Sequence, residues 1–493
     1  MTPARRLKRP RRLPALQPVL AAPVRLLAVL ALALIPATSH AQSRAELERI
    51  IQNRVLDNGL EIIVIENHGV PLATVELDVR NGAFTQTPEY AGLAHLYEHM
   101  FFRANEDYPR PGEFMDRASS LGAVFNGTTQ EERVNYYLTV PADSLVGAMR
   151  FLNSALRAPL FLPEEMATER EVVIGEYDRA ESSPFFDFQN ELTRALYPDN
   201  YSRKNTIGDR QVVQTATPEM MRTIQHRYYV PNNSVIIVAG DVNPDSVFAL
   251  ANSIYGDWER GADPFVENPI PRIPPFQVDS AIIMERPVSA VTVLLQWQGP
   301  SVGEDRDATY AADVFSDILN EPGSEFQRRL VDSGLWQAVG VNYYTLNHVG
   351  PISISGQTAP EKLKPALAAL DAEIAKFDDP SYFSAQALEY AKAIRTVGSA
   401  QGAERASGLA HTVGFWWSVA DVDYFMGYVD NMAGQTVDDL VSYAGRYIVN
   451  RPRIAGILLS PEARRESGIT PADLVRSEVG PSVREADDAG RVQ

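Results

Sequence analysis

The sequence has no cysteine, which excludes disulfides, thiolate metal sites and attachment through a lipidated cysteine. Histidine is scarce, with seven in 493 residues, so an imidazole metal site has few positions to draw on. Positive charge is in deficit: 45 Lys and Arg against 63 Asp and Glu leave a net −18. Long apolar runs are missing too. Leu26 to Ile35 is a run of ten, about half of what a membrane-spanning helix needs. Arg5, Arg6, Lys8, Arg9, Arg11 and Arg12 precede that run, and Ser39-His40-Ala41 follows it as a small-residue cleavage site. Residues 1–41 are therefore expected to be a removed export signal rather than an anchor. Its loss takes seven basic residues and shifts the net charge from −18 to −25. Such acidity argues against nucleic acid as a partner and against general attraction to anionic lipid. The mature chain reads as periplasmic, with no stable membrane anchor.

What is present centres on His95-Leu96-Tyr97-Glu98-His99. As helix, positions 95 and 99 lie one turn apart on one face, with Glu98 beside them. Two imidazoles at that spacing can hold one Zn²⁺ and leave room for a third protein ligand and a water. The order His-x-x-Glu-His reverses the commoner His-Glu-x-x-His arrangement.

The spacing of apolar and turn residues predicts the surroundings. Val55 to Glu66 reads as a strand pair about Asp57-Asn58-Gly59, and Leu72 to Val79 as a half-buried strand. Ala91 to Phe102 carries the motif on a helix, and Pro111 to Ser120 suits a second. Val124 to Thr128 and Val134 to Val140 read as an antiparallel pair, and Leu145 to Leu156 as a helix. Pro163 to Glu181 is a long helix on which Glu169 and Glu176, seven apart, share a face.

A repeat is visible. Thr217 to Val230 resembles Thr436 to Val449, and Ala73 to Leu77 resembles Val291 to Leu295, at offsets of 219 and 218. Two matches at nearly one offset predict duplicated α+β halves, each a mostly antiparallel sheet with helices packed on it. The expected division is a zinc-bearing first half over 42–260, a Pro-rich linker over 261–276, and a second half over 277–460. A polar tail, expected to be partly disordered, follows over 461–493. Shifting 95, 98 and 99 by 218 gives Asp313, Ser316 and Asp317, so the second half carries no copy of the motif.

On these residues the chain resembles the M16 family of zinc metallopeptidases over roughly 48–460. In that family the inverted motif is completed by a Glu some seventy-odd residues downstream, and Glu176 stands 77 residues after His99. The resemblance implies one Zn²⁺ per chain, held by His95, His99 and Glu176, with Glu169 supporting the site without being a primary ligand. It makes Glu98 the general base that activates water for hydrolysis of peptides or unfolded polypeptides held as an extended strand. Asn126 and Gly127, in Ala123-Val-Phe-Asn-Gly-Thr-Thr129, match the family's substrate-meeting Asn-Ala segment, with Gly in place of the usual Ala.

One segment departs from the pattern. Many members carry Arg and Tyr in a second-half segment Leu-Arg-Glu-x-Gly-Leu-x-Tyr, where this chain has Val331 and Gln337. Arg328, Arg329 or Tyr343 could substitute. Otherwise the chain is the zinc-bearing subunit of a two-chain enzyme whose homologous partner lacks zinc ligands. A homodimer is the alternative. A reading from another class is a catalytically silent assembly or peptide-binding subunit.

Overall fold

The computed structural model describes residues 44–476. The expected export signal over 1–41 and the tail beyond 476 lie outside the described residues.

Two sheets with helices against them form the molecule. The first has strands β1 (Ile51–Val55), β2 (Glu61–Glu66), β3 (Leu72–Val79), β4 (Val124–Thr129), β5 (Val134–Pro141) and β6 (Ser234–Gly240), in spatial order β1-β2-β6-β3-β5-β4. The second has β7 (Ser280–Glu285), β8 (Val291–Gln298), β9 (Ala338–Tyr343), β10 (Pro351–Thr358) and β11 (Ile454–Leu459), in order β7-β11-β8-β10-β9. Without β1 the two orders are the same. In each sheet one pair is parallel, β2 with β6 and β7 with β11, and the remaining pairs are antiparallel. The fold is α+β in two like halves, as the sequence spacing predicts. Among the described residues strand β4 pairs only with β5, so its outer edge is open there.

Eight helices matter for the site and its frame. They are α1 (Leu93–Phe101), α2 (Pro163–Glu181), α3 (Pro184–Leu196), α4 (Pro218–Tyr228), α5 (Arg306–Asn320), α6 (Ala385–Gly402), α7 (Ala406–Val419) and α8 (Val437–Tyr447). The repeated segments fall on α4 and α8, each opened by a threonine N-cap, Thr217 or Thr436, whose hydroxyl accepts a backbone N–H.

The halves exchange cover. From the second half, α7 lays Leu409, Ala410, Val413 and Trp417 on Ile63, Ile65, Val235 and Ile237 of the first sheet. From the first half, α3 lays Phe188 and Leu192 on Ile454 and Leu458 of the second. Because both faces of β2 and β6 are thus covered, their sequences (EIIVIE, SVIIVAG) run apolar without alternation. Each large side chain buried this way contributes about 1.5–3 kcal/mol, so separating the halves would be costly. Two glycines mark where the exchange is closest. A Cβ on Gly456 would lie 2.6 Å from Leu192 Cδ2, and one on Gly414 would lie among the carboxylate atoms of Asp78.

The segment over 261–276 includes a single helical turn, Pro264–Glu267, and buries Ile273 beside the Phe188 cluster. Of the tail beyond 460, Pro461–Ser467 is helical, and Arg476 donates to both carboxylate oxygens of Asp279.

Candidate metal centre

Helix α1 is seated by its aromatic residues. Tyr97 stacks on Tyr229 at 4.1 Å and Phe101 on Tyr136 at 3.7 Å, while the Tyr136 and Tyr229 hydroxyls meet at 2.7 Å. Its first turn begins at Gly92, whose φ is +92°. The Gln86 side-chain oxygen Oε1 accepts from the Gly92 and Ala94 N–H groups at 2.9 and 3.3 Å, satisfying donors that a helix start leaves free. With Leu93, Leu96, Tyr97 and Met100 turned inward, His95 and His99 face α2.

There Glu176 meets them. Its Oε2 lies 3.5 Å from His95 Nε2 and 3.8 Å from His99 Nε2. One donor atom from each of the three residues falls within 4.8 Å of the others. A four-coordinate zinc with bonds of about 2.0–2.1 Å spaces its ligands about 3.4 Å apart, so the donor set fits that ion. Charge fits as well. The carboxylates of Glu98, Glu169 and Glu176 outnumber the one nearby guanidinium, Arg103, by two, the deficit a divalent cation cancels.

Glu169 is almost fully buried and its two oxygens are committed. Oε2 faces His99 Nδ1 at 3.1 Å and Oε1 accepts from Arg103 Nη2 at 2.6 Å. The arginine keeps this carboxylate off the cluster, and the carboxylate fixes the His99 ring so that Nε2 points at Glu176. One turn earlier on α2, Glu165 accepts the Ala104 N–H at 3.0 Å, which fastens α2 to the end of α1.

The two imidazoles are electrostatically unlike. Burial, with His99 nearby, pushes His95 down to about 4, so it is neutral with a free lone pair. For His99 burial also opposes charge, but Glu169, Glu98 and Glu176 outweigh it and raise its value. Burial raises Glu98, opposed by the Thr129 hydroxyl, which donates to Glu98 Oε2 at 2.8 Å.

The edge strand supplies the floor. The pleat turns Gly127 and Thr129 toward Glu98, and a Cβ at 127 would sit 2.9 Å from Glu98 Cγ and Oε1. Alanine, usual at this place in the family the sequence resembles, would crowd the carboxylate. Asn126 is one position before Gly127 in the pleat, so its side chain projects to the opposite face and is exposed. The structure thus brings His95, Glu98, His99, Glu169, Glu176 and Gly127 together but not the Asn126 side chain.

Arg103 and Thr129 are additions that the sequence reading missed. Arg103 is signalled only by its position, one turn after His99. Thr129 is signalled only by the alternation that places it on Gly127's side. In the second half, Arg328 and Arg329 are paired with Glu325, Arg329 reaches Glu373 as well, and the buried Tyr343 donates to the Pro300 carbonyl. All three candidate substitutes for the missing Arg and Tyr are therefore occupied within their own half.

Comparison with known proteins agrees with this architecture. Residues 61–210 match the model of insulinase (peptidase family M16), and residues 215–395 match that of the peptidase M16 inactive domain. The chain belongs to peptidase family M16. It is 23% identical over 327 residues to a protein of Rickettsia felis named an uncharacterized zinc protease, spanning 66% of this chain and 77% of that one. Among solved structures, a protease from Helicobacter pylori matches with a TM-score of 0.75 at 20% identity, over 83% of this chain and 99% of that one. The first half of the periplasmic protease PqqL from Escherichia coli matches with a TM-score of 0.72 at 19% identity, over 86% and 95%.

Proposed function

We propose that this chain is the catalytic subunit of a zinc-dependent endopeptidase, with His95, His99 and Glu176 holding one zinc ion. The observation that carries the reading is the convergence of their three donor atoms within 4.8 Å, from two separate helices. Zinc bound there supplies Lewis acidity, polarising a carbonyl and lowering the pKa of water. The chain's own groups do the rest. Glu98 takes a proton from the attacking water and delivers it to the leaving amine nitrogen as the C–N bond breaks. The Thr129 hydroxyl holds Glu98 Oε2, leaving Oε1 for that transfer. Glu169 orients His99. The open edge of β4, through the backbone groups of Asn126 and Gly127, pairs with an extended peptide and sets its scissile bond beside Glu98.

The exchange of α3 and α7 makes the two halves a single body, so an enclosure that opens and closes around a peptide falls to a second chain. Val331 and Gln337, in place of the family's Arg and Tyr, favour a homologous partner without zinc ligands that supplies the missing pair; a homodimer is the other arrangement. The likeness to PqqL is consistent with this: the chain spans 49% of that whole protein, which therefore carries about twice this length in one polypeptide. Its periplasmic location supports the same compartment here. Among the described residues no helix is long and apolar enough to cross a membrane.

Glu98→Gln tests the reading. It is expected to retain zinc and lose peptide hydrolysis by about 10²–10⁴-fold. Cleavage unchanged in the variant would reject this mechanism, and protein with all three ligands that binds no zinc would leave the silent-subunit reading standing instead. Co-purification from the native compartment, assayed with and without the partner, decides between heterodimer and homodimer.

A further inference from the structure

Away from the metal centre, a cavity of about 520 Å³ opens where the first half, the linker and the second half meet. Its size falls within the range of small-molecule sites, about 300–1,000 Å³. Phe84 and His348 form one wall with ring centroids 5.4 Å apart; Phe265, 5.6 Å from Phe84, and Ile270 bring the linker over it.

The charge at its base is that of Arg80. The guanidinium lies 4.1 Å from the Trp417 ring centroid and donates Nη2 to the Trp417 carbonyl at 2.9 Å. Among the described residues it has no carboxylate within 4 Å and no second acceptor. Burial pushes its pKa down, offset only by the more distant Glu61, Asp421 and Asp263. A cation taken from water without a partner is unfavourable, and its unused N–H groups form the planar fork that matches a carboxylate.

The one acid in the lining, Glu132, is already committed. It accepts the Asn347 and His348 N–H groups at 2.6 and 2.7 Å, and it meets the His348 ring at 3.0 Å. Lys204, donating to the His348 carbonyl at 2.5 Å, adds a compensating positive charge. The charge left to meet a ligand is therefore positive, and Phe84, Phe265, Pro269 and Ile270 supply apolar wall beside it.

We propose that this cavity binds an organic anion: a carboxylate set on Arg80, with an apolar body lying between Phe84, Phe265 and Ile270. A peptide ending in a hydrophobic residue and a free aryl-alkyl carboxylate share that chemistry. The site stands apart from the zinc ligands and does not depend on the peptidase reading.

Calorimetric titration of the full chain tests it with N-acetyl-leucyl-phenylalanine, the C-terminal amide of that dipeptide, and 3-phenylpropionate. The last has no peptide bond to cleave, and an Arg80 variant separates its binding in the cavity from carboxylate coordination at the metal centre. Saturable one-to-one binding of the acids is expected, with at least tenfold weaker binding of the amide. Binding of the peptide acid alone assigns the site to peptide C-termini, and binding of both acids to carboxylates in general. Arg80→Met is expected to weaken the acids at least tenfold. Should that variant fold poorly, Ile270→Glu decides, because it adds a carboxylate to the lining that Arg80 shares and is expected to abolish binding while the melting temperature holds or rises. The proposal is overturned if neither acid binds, if the amide binds as tightly, or if both variants bind like the parent chain.

Discussion

The two halves share one topology and differ in what their equivalent helices hold. In the first, α1 and α2 bring His95, His99 and Glu176 together. In the second, positions 218 or 219 residues later on α5 and α6 are Asp313, Asp317 and Arg395. There Arg395 donates Nε and Nη2 to the two oxygens of Asp317 at 2.8 and 2.7 Å, and Tyr428 donates to Asp313 at 2.5 Å. The helix pairs are joined in the same place by opposite means. One gathers imidazoles and carboxylates that need an external cation, and the other brings its cation on a side chain. The lesson is that one frame encloses an acid excess in the first half and an acid paired with its own arginine in the second.

Exchanging the sets should have the largest effect. His95→Asp, His99→Asp and Glu176→Arg together are expected to take zinc from one per chain to none and to abolish hydrolysis, with far-ultraviolet circular dichroism unchanged. The reverse triple, Asp313→His, Asp317→His and Arg395→Glu, should bring bound zinc toward two by elemental analysis. If the first triple keeps its metal, the two sites are not counterparts.

Next comes Arg103, the cation the first half keeps at its margin. Arg103→Met frees a Glu169 oxygen beside the cluster, and zinc affinity should fall about 10–100-fold. A chelator competition measures it. Arg103→Lys should recover part of the loss, whereas a purely structural role would lower stability and leave affinity unmoved.

The second half offers a pH signature. Burial raises Asp313 from an ordinary 3.8 to about 6, with Arg395 and Tyr428 only partly opposing it. The native state therefore holds this proton after the unfolded chain has released it. The stabilisation is complete below about pH 4 and is lost as pH rises through about 6. Asp313→Asn keeps an acceptor for Tyr428 without the charge. Its stability relative to the parent chain should grow by about 2 kcal/mol between pH 4 and 7 in denaturant titrations.

The smallest effect is expected at Gly127. Alanine there must move the end of the flexible Glu98 side chain by a few tenths of an ångström, so kcat should drop several-fold with KM and zinc content little changed. A drop in zinc content would mean that the strand, and not the carboxylate, had shifted.

The site's chemistry was legible because it is local. The step of four residues from His95 to His99 makes about one helical turn, and the helix Pro163–Glu181 could be bounded from its proline start and its spacing alone. The strand pairs were legible for the same reason, since alternation and turn residues act between neighbours. Arg103 and Thr129 were not, because reaching Glu169 and Glu98 depends on how α2 and β4 lie against α1. The surroundings of His348 and His411 were not legible either. In the structure these histidines partner Glu132 and Glu76, 216 and 335 residues away in sequence. The offset of the repeat pointed to Asp313 and Asp317, but similarity fades along α6 and left Arg395 unmatched.

By itself, then, the sequence determined which side chains could ligate a metal, that the chain is doubled, and that only one copy kept the ligands, since each of these is written in short spacings or in one offset. The tertiary structure alone decided that α3 and α7 trade places, that an arginine closes the second site, and that Arg80 faces a cavity whose one acid, Glu132, is committed to His348 and Asn347. These depend on contacts between segments hundreds of residues apart, where the free energy of burial selects the pairing and no local pattern records it.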